Sequence, residues 1–450
     1  MKPIRFWETI KQRLTSVFGP KGKHGSPKHS RPAYDTQRLT EDGNRHAVKE
    51  RRGFLSFLHM RGGRHSSGAV FQGVLTFLGA VRNYFISINW PLLLLSVLAS
   101  VYGLFMIAST HVTSLTVQIV SIVLGVTAYF FIAMFDVSHL TVFWRIVMAV
   151  GVLTLLSVLV FGRSAGINTG WIRFRIGSLD LGVQPGEVVK IIMIITFAKR
   201  LDMIGSGITK FKGVLIATLH FAVYAAALLL SKDDGMLLAY GILFAVMMFA
   251  AGVKLRYLAF GAGALVLATP LIWNYLLDYY QKMRILVVLD PTLDLEGKGY
   301  HGYISKIAIS HGGLTGMGYG KGAVTQYSNP GNLPAKHTDF IFSVICEEMG
   351  FFGAIAAIGI LIGIVVICLL VARKVRHDKF SYLVAVGVAT MIIFQTSLNV
   401  GMCMGVVPVI GLTLPFYSHG GSSVLTMFVS VGMVASVGAH IRPRTLSDIY

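Results

Sequence analysis

Charged residues inside otherwise apolar segments are the part of this sequence that could do chemistry. Glu187 and Lys190 stand three positions apart at the start of an apolar segment, so they would share one face of a helix. A charge at the centre of a membrane helix costs about 2.5–3.5 kcal/mol on insertion scales, and the two together would cost roughly 5–7 kcal/mol. We therefore expect them to pair with each other or to face a water-filled cavity. A purely structural ion pair is the competing interpretation.

Two acidic pairs raise the same question elsewhere in the chain. Asp233 and Asp234 stand at the entrance of an apolar segment, where an aspartate commonly caps a helix. Glu347 and Glu348 lie roughly two helical turns after Asp339, inside another apolar segment, so both carboxylates require partners.

The longest polar stretch between apolar segments covers residues 278–339. It contains Asp290-Pro-Thr-Leu-Asp294-Leu-Glu-Gly-Lys-Gly-Tyr300 and a glycine-rich run from His311 to Gly322. Such a run could bind phosphate through backbone N–H groups, although turns use the same residues. A second stretch, Gly411–Ser423, is too polar and broken to face lipid. We expect it to be buried in protein or to line a water-filled cavity.

The composition indicates a membrane protein. Of 450 residues, 54% are hydrophobic and 13% are charged, about half the charged fraction of soluble domains. The formal net charge of +20 could suggest nucleic-acid binding, but the basic residues concentrate in the first 82 positions and in short loops. The positive-inside rule predicts this distribution for cytoplasmic segments, so we predict no nucleic-acid partner. The three cysteines lack disulfide or metal-ligand spacing, and we predict no protein-built metal site.

The N-terminal residues 1–88 form a basic cytoplasmic tail in our reading. Residues 1–66 are too polar to bury a core, and no cleavable signal peptide is visible. Within them, Ile4–Phe18 places its apolar residues on one helical face, which suits the surface of an anionic membrane, although chance periodicity explains it equally well. Residues 69–88 are apolar but interrupted by Arg82 and Asn83, which favours an interfacial segment.

Ten apolar segments then predict an all-α polytopic membrane protein. The predicted spans are Trp90–Ser109, Leu115–Phe135, Thr141–Phe161, Val183–Ala198, Gly213–Leu230, Met236–Val253, Tyr257–Leu276, Phe340–Ala372, Tyr382–Met404 and Ser422–His440.

The loops set the predicted orientation. With both termini cytoplasmic, the basic loops around residues 199–212, 254–256 and 373–379 lie inside, while residues 231–235, 278–339 and 405–421 lie outside. The loop with Arg163, Arg173 and Arg175 lies outside against the rule, which is consistent either with an anionic ligand or with anchoring to lipid headgroups.

Three motifs resemble the SEDS family of RodA, FtsW and SpoVE proteins. They are Gln184-Pro-Gly-Glu-Val-Val-Lys190, His337-Thr-Asp-Phe340 with Glu347-Glu348-Met-Gly350, and Gly411-Leu-Thr-Leu-Pro-Phe-Tyr-Ser-His-Gly-Gly-Ser-Ser423. The resemblance runs from about Asn89 to Pro443 in matching order, so we expect a membrane domain at residues 89–443, with its large outer loop at 278–339, and a short C-terminal tail at 444–450.

The resemblance implies a peptidoglycan glycosyltransferase in the bacterial cytoplasmic membrane. Such enzymes polymerise lipid II outside the membrane, in elongation, division or sporulation, with a class B penicillin-binding protein as partner. By the motifs, Asp294 takes the place of the family's essential aspartate. Residues at the other matched or neighbouring positions become substrate-binding candidates: Glu187, Lys190, Asp233, Arg173, Arg175, Lys298, His337, Asp339 and Ser422.

The sequence departs from the family pattern at five places. Gly170 replaces the arginine of an Arg-Trp pair, Gly186 replaces a serine, Ala335-Lys336 replaces an acidic step, His419 replaces a tyrosine, and Leu295 follows Asp294 in place of proline. Arg173 or Arg175 could substitute for the missing arginine.

The chemistry requires a base for the acceptor hydroxyl and positive charge for the departing pyrophosphate. We predict Asp294 as the base. The cations could be Arg173, Arg175, Lys190 or Lys298, or a bound divalent ion such as Mg²⁺ or Mn²⁺; no other cofactor is implied. Two other functions stay open: a flippase for lipid II, although no repeat between the halves supports a transporter, and a non-catalytic scaffold of a cell-wall synthesis complex.

Overall fold

The computed structural model describes residues 79, 88–111, 114–162, 170, 172–176, 179–294, 297–326 and 332–440. The regular secondary structure in these ranges is helical apart from one antiparallel hairpin, β1 (Ile172–Ile176) and β2 (Leu179–Val183). The longer helices are α1 (Trp90–Thr110), α2 (Leu115–Met134), α3 (Trp144–Leu156), α4 (Pro185–Ile204), α5 (Phe211–Leu230), α6 (Asp234–Ala250), α7 (Leu255–Leu271), α8 (Tyr279–Leu289), α9 (Lys298–Gly312), α10 (Ile341–Lys374), α11 (Lys379–Cys403) and α12 (Gly421–Ala439).

Each of the ten predicted spans corresponds to a helix. Eight helical segments in the described ranges are long and apolar enough to cross a membrane, which confirms the all-α polytopic class. The other two are α4, which carries Glu187 and Lys190, and α6, whose 17 residues span about 26 Å against an apolar core of about 30 Å. The count of ten spans stays a prediction.

The loops fall into two sets that agree with the predicted alternation. Among the predicted outer loops, Gln281 Nε2 donates to Asp234 Oδ2 at 2.8 Å, and Ser418 Oγ donates to the Thr338 carbonyl at 2.6 Å. Among the predicted inner loops, Lys379 Nζ donates to the Gly205 carbonyl at 3.1 Å. Which set faces the outside stays a prediction.

The segment at 278–339 contains two helices, which the sequence reading had treated as one loop. Helix α8 begins with a capping box in which Asp278 and Gln281 each bond the other's backbone N–H. Helix α9 packs against α10. Helix α10 bends at Gly350, whose φ of 65° lies in the left-handed region that suits glycine.

Burial is greatest in α11 and α12, which therefore form the centre of the bundle. The most apolar stretches of these helices are 72% and 78% buried, whereas that of α7 is entirely unburied. Residues 1–78, 80–87 and 441–450 lie outside the described residues, so nearly all of the predicted N-terminal tail at 1–88, including Ile4–Phe18, and the whole predicted C-terminal tail at 444–450 stay predictions.

Candidate functional site

The first turns of α4 carry a buried ion pair. Glu187 Oε2 lies 2.8 Å from Lys190 Nζ, and both side chains are 2% exposed or less. Lys190 also donates to Gln395 Oε1 on α11 at 2.8 Å, and Gln395 Nε2 donates to the Thr413 carbonyl at 3.1 Å. The expected pairing of Glu187 with Lys190 is confirmed, and an unexpected amide joins it.

Asp233 combines a capping role with a second contact. Its Oδ1 accepts from the Met236 N–H at 3.1 Å, as an N-cap does, and its Oδ2 accepts from Gln184 Nε2 at 3.1 Å. Burial raises the pKa of Asp233 above its usual range, against the opposing effect of these two hydrogen bonds. The site therefore holds a carboxylate whose proton affinity is increased.

The start of α12 completes the arrangement. Ser422 Oγ accepts from the Gln184 N–H at 3.4 Å and lies 3.5 Å from the Gly182 carbonyl of β2, to which it donates. Ser423 Oγ lies 2.8 Å from Thr413 Oγ1. We call this set the polar cluster: Gln184, Glu187, Lys190, Asp233, Gln395, Thr413, Ser422 and Ser423.

The segment Gly411–Ser423 was expected to be buried in protein or to line a water-filled cavity. Its residues from Leu412 to Ser418 are buried between helices, which confirms the first alternative for this part. Because Thr413 and Ser423 bond each other there, the segment brings α11 and α12 to the polar cluster.

The family departure at Gly170 faces the polar cluster. A Cβ atom added at Gly170 would lie 2.9 Å from Asp233 Oδ2 and 3.9 Å from Gln184 Nε2. An arginine at this position would therefore start beside the Asp233 carboxylate, whereas here Gln184 supplies the side-chain contact.

Three predicted cations lie where side-chain geometry is not described. Arg173 pairs in register with Gly182, and Arg175 with Asp180, in the hairpin that leads into α4. Lys298 is the first residue of α9. The hairpin thus brings the backbone of both arginines near the polar cluster, and their roles stay predictions.

Asp294 ends a single 3₁₀ turn, Pro291–Asp294, between α8 and α9. Its carboxylate packs directly on Gly297, because a Cβ atom there would lie 2.5 Å from Oδ2 and 2.7 Å from Oδ1. Real Cβ contacts are essentially never that short, so the Asp294 carboxylate can lie where it does only because residue 297 is a glycine. The Gly297 of the matched motif therefore has a steric reason.

The histidine of the second motif lies in a group of three. The His337 ring stacks on the His111 ring with centroids 4.4 Å apart, and its centroid lies 5.7 Å from that of the His419 ring. The backbone N–H of His419 donates to the His337 carbonyl at 2.8 Å. Burial, with additional contributions from the two other rings and Lys336, lowers the pKa of His337 to about 4. His337 is therefore neutral at pH 7, and the neighbouring Asp339 carbonyl is held by Asn399 Nδ2 at 2.8 Å.

Glu347 and Glu348 bind the glycine-rich run. Glu347 accepts from the N–H groups of Val324 and Thr325, each at 3.0 Å, and from Thr325 Oγ1 at 2.6 Å. Glu348 accepts from Ser109 Oγ at 2.7 Å and from the Gly320 N–H at 3.1 Å. The requirement that both carboxylates have partners is confirmed.

The alternative that the glycine-rich run binds phosphate is wrong for the backbone amides of Met317, Gly318 and Gly320. The Met317 and Gly318 N–H groups donate to the carbonyls of Glu347 and Glu348 at 2.9 and 3.0 Å, and the Gly320 N–H donates to the Glu348 carboxylate. These N–H groups bond carbonyl and carboxylate oxygens of α10, so they are not directed at a ligand.

Potential metal ligands do not form a cluster in the part of the chain that the structure describes: no three His, Cys, Asp or Glu side chains there are arranged to hold an ion. The cysteines Cys346, Cys368 and Cys403 are free and buried, as small core residues are.

Comparison with known proteins decides the family. The family model described as "Cell cycle protein", FTSW_RODA_SPOVE, matches residues 82–442. This chain belongs to the FtsW/RodA/SpoVE family. The resemblance to the SEDS proteins is thereby confirmed over the whole membrane domain.

Individual relatives agree with the family. The chain is 31% identical over 338 residues to the "Probable peptidoglycan glycosyltransferase FtsW" of Bacillus subtilis, covering 72% of this chain and 81% of that protein. It is 32% identical over 268 residues to the "Peptidoglycan glycosyltransferase MrdB" of Escherichia coli K12, covering 58% and 70%.

A solved structure shares the fold. A chain of the structure described as "Structural coordination of polymerization and crosslinking by a peptidoglycan synthase complex" matches with a TM-score of 0.67 at 28% identity, covering 78% of this chain and 97% of that one. The family fold thus extends over nearly the whole of that chain.

Sequence reasoning missed several residues of the site. Gln184 donates to Asp233, Gln395 accepts from Lys190, and the Thr413 carbonyl accepts from Gln395. None of these three was predicted as a site residue. Polar residues inside an apolar span were the available signal, since Gln395 and Asn399 stand four apart on α11 and would share a face.

Proposed function

We propose that this chain is a peptidoglycan glycosyltransferase that polymerises lipid II on the outer face of the bacterial cytoplasmic membrane. The observation that carries the proposal is the buried polar cluster in a family member, with a charged pair and Asp233 gathered at the predicted outer end of the bundle. Such groups are costly in a membrane and are kept where they serve a site. The printed names of the FtsW and MrdB relatives support the reaction class.

The reaction joins two membrane-anchored saccharides. A sugar hydroxyl of one attacks the anomeric carbon of the other, the bond from that carbon to the lipid pyrophosphate breaks, and the hydroxyl proton passes to a base. We assign the base to Asp294, whose carboxylate can accept a proton and is positioned by Gly297 in the predicted outer segment. The pyrophosphate leaves with the electron pair of the broken bond.

The polar cluster has a positioning role in this proposal. Lys190 is already bonded to Glu187 and Gln395 and is 1% exposed, so we assign it to the shape and electrostatics of the cluster. Asp233, Ser422, Asp339, His337 and the hairpin arginines remain substrate-binding candidates. Positive charge for the pyrophosphate then has to come from cations at the outer surface.

A class B penicillin-binding protein is the partner we propose. The family neighbour in a peptidoglycan synthase complex supports an assembly in which polymerisation and crosslinking are coupled. Helix α7 has no buried residue and is largely exposed in the isolated chain.

The test is polymerisation of lipid II by the purified full-length chain, alone and with its penicillin-binding protein. We expect glycan strands from the native protein and a loss of at least about 100-fold for Asp294→Asn. Asp290→Asn is the matched control. Asp290 directly precedes the same turn and is exposed, and in the described contacts its carboxylate bonds only Thr292.

Two results would contradict the proposal. Glycan formation by Asp294→Asn at the native rate removes Asp294 from the base role. Transfer of lipid II across vesicle membranes without any glycan strands would favour the flippase in place of the enzyme.

A further inference from the structure

A pocket opens between α8, α9 and the segment that follows α11. It is partly open to solvent. Its walls are apolar, with Val287, Met402 and Val407 among them, and two cationic side chains line it, Arg284 and Lys306. Among the described residues no carboxylate lines this pocket, and the two charged side chains that line it are cationic.

Arg284 is held in a fixed orientation. Arg284 is buried, with 8% of its surface exposed. Its guanidinium carbon lies 4.6 Å from the centre of the Tyr280 ring, and its Nη2 donates to the Tyr280 hydroxyl at 3.2 Å. An arginine keeps its charge at any physiological pH and presents several donors in one plane. Its placement in a pocket wall is therefore suited to an oxyanion.

Lys306 approaches the pocket from the opposite helix. Its side chain lies across Gly405, and a Cβ atom at that position would clash with Cε and lie 2.6 Å from Nζ. Gly405 also has a φ of 68°, so two independent reasons favour glycine there. The Lys306 ammonium makes no hydrogen bond or ion pair with the described residues, so its donors are available to a ligand.

The position of the pocket relates it to the proposed base. Gly299 in the first turn of α9 lines the pocket, and it stands two residues after Gly297, on which the Asp294 carboxylate packs. Two residues of helix advance the chain by about 3 Å. The first turn of α9 therefore contributes to the pocket wall and lies next to the proposed base.

We propose that this pocket binds a phosphate-bearing lipid headgroup through Arg284 and Lys306. Two cations match a phosphate or pyrophosphate, and apolar walls at the rim of a membrane protein suit a group attached to a lipid chain. Assigning the headgroup to the polyprenyl pyrophosphate of the substrate rests on the proposed function; a glycerophospholipid is the other source of the same chemistry. These cations were not among those predicted from the sequence.

Direct binding tests the pocket without relying on turnover. The full-length protein in nanodiscs of neutral lipid is titrated with a polyprenyl pyrophosphate, with the corresponding polyprenyl alcohol, and with phosphatidylglycerol. We expect the pyrophosphate to bind at least about tenfold more tightly than the alcohol, and Lys306→Met to weaken pyrophosphate binding about tenfold or more. Lys306→Arg should retain binding, and alcohol binding should be the same in all variants.

Lys321→Met is the matched control, because Lys321 is an exposed lysine of the outer segment that does not line the pocket. Equal binding of pyrophosphate and alcohol, or unchanged pyrophosphate binding in Lys306→Met, overturns the proposal. Competition separates the two sources: retention of the pyrophosphate against a hundredfold excess of phosphatidylglycerol assigns the pocket to substrate, and its displacement at equal concentration assigns the pocket to bulk lipid. Failure of polymerisation with intact pyrophosphate binding would refute only the proposed enzyme function.

Discussion

Replacing Lys190 with methionine tests whether the ion pair of the polar cluster is buried in solution as it is in the structure. The substitution keeps the length of the side chain and removes its charge. Glu187, which is 1% exposed, then loses the ammonium 2.8 Å from its Oε2, and Gln395 loses a donor at 2.8 Å.

The expected magnitude follows from this burial. Removing one partner of a buried pair leaves a desolvated charge and costs about 3–5 kcal/mol. In Glu187→Gln with Lys190→Met neither charge remains, so we expect the double variant to lie within about 1–2 kcal/mol of the native protein, the remainder being the lost bond to Gln395. The double variant should therefore be more stable than Lys190→Met alone by about 1–4 kcal/mol.

The assay is reversible unfolding of the full-length protein by SDS in mixed micelles, read as a free energy of unfolding. Lys199→Met is the matched control on the same helix: Lys199 and Asp202 also stand three apart, at 3.4 Å, but their side chains are 26% and 31% exposed. We expect a loss below about 1 kcal/mol there. If Lys190→Met costs no more than Lys199→Met, the pair is hydrated and the argument from burial is refuted.

Three further predictions concern the segment at 278–339 and the start of α10. Gly297→Ala should reduce polymerisation about 10- to 100-fold while leaving the melting temperature within a few degrees, because its methyl group displaces the Asp294 carboxylate; unchanged turnover would contradict the steric argument. Glu347→Gln should speed hydrogen exchange at residues 317–325 about tenfold or more, since an amide cannot accept all the bonds that the carboxylate accepts, and mass spectrometry of that segment measures it. Burial lowers the pKa of His337 to about 4, so the folded state disfavours its protonation. The free energy of unfolding should therefore be unaffected by His337 above pH 6.5 and should decline as the pH falls from 6.5 to 4. Allowing for partial exposure, we expect this decline to be about 1–2 kcal/mol. Melting temperatures across this range should fall less steeply for His337→Phe, and parallel curves would exclude the assignment.

Much of the fold could be predicted because its signals are local. Eight of the ten segments are long and apolar enough to cross a membrane by themselves, and all ten were found as helices without knowledge of their neighbours. The pairing of Glu187 with Lys190 was also local, since residues three apart share a helical face and lipid penalises either charge alone.

Partners across helices could not be predicted in the same way. Glu347 and Glu348 were known to need partners, but the structure supplies them from a glycine-rich turn more than twenty residues away. The alternative that this run binds phosphate does not hold for the N–H groups of Met317, Gly318 and Gly320, because α10 accepts them, and periodicity carries no information on which acceptor a turn will meet.

The sequence by itself determined the class of the protein, the helices of the ten apolar segments, the buried charges and the family, because the cost of charge in lipid and the motifs can be read one segment at a time. Only the tertiary structure decided that Lys190 meets Gln395, 205 positions later, and that Arg284 and Lys306 line one pocket. Contacts of this kind depend on how helices rotate and cross, which side-chain packing over the whole bundle sets and no single segment encodes.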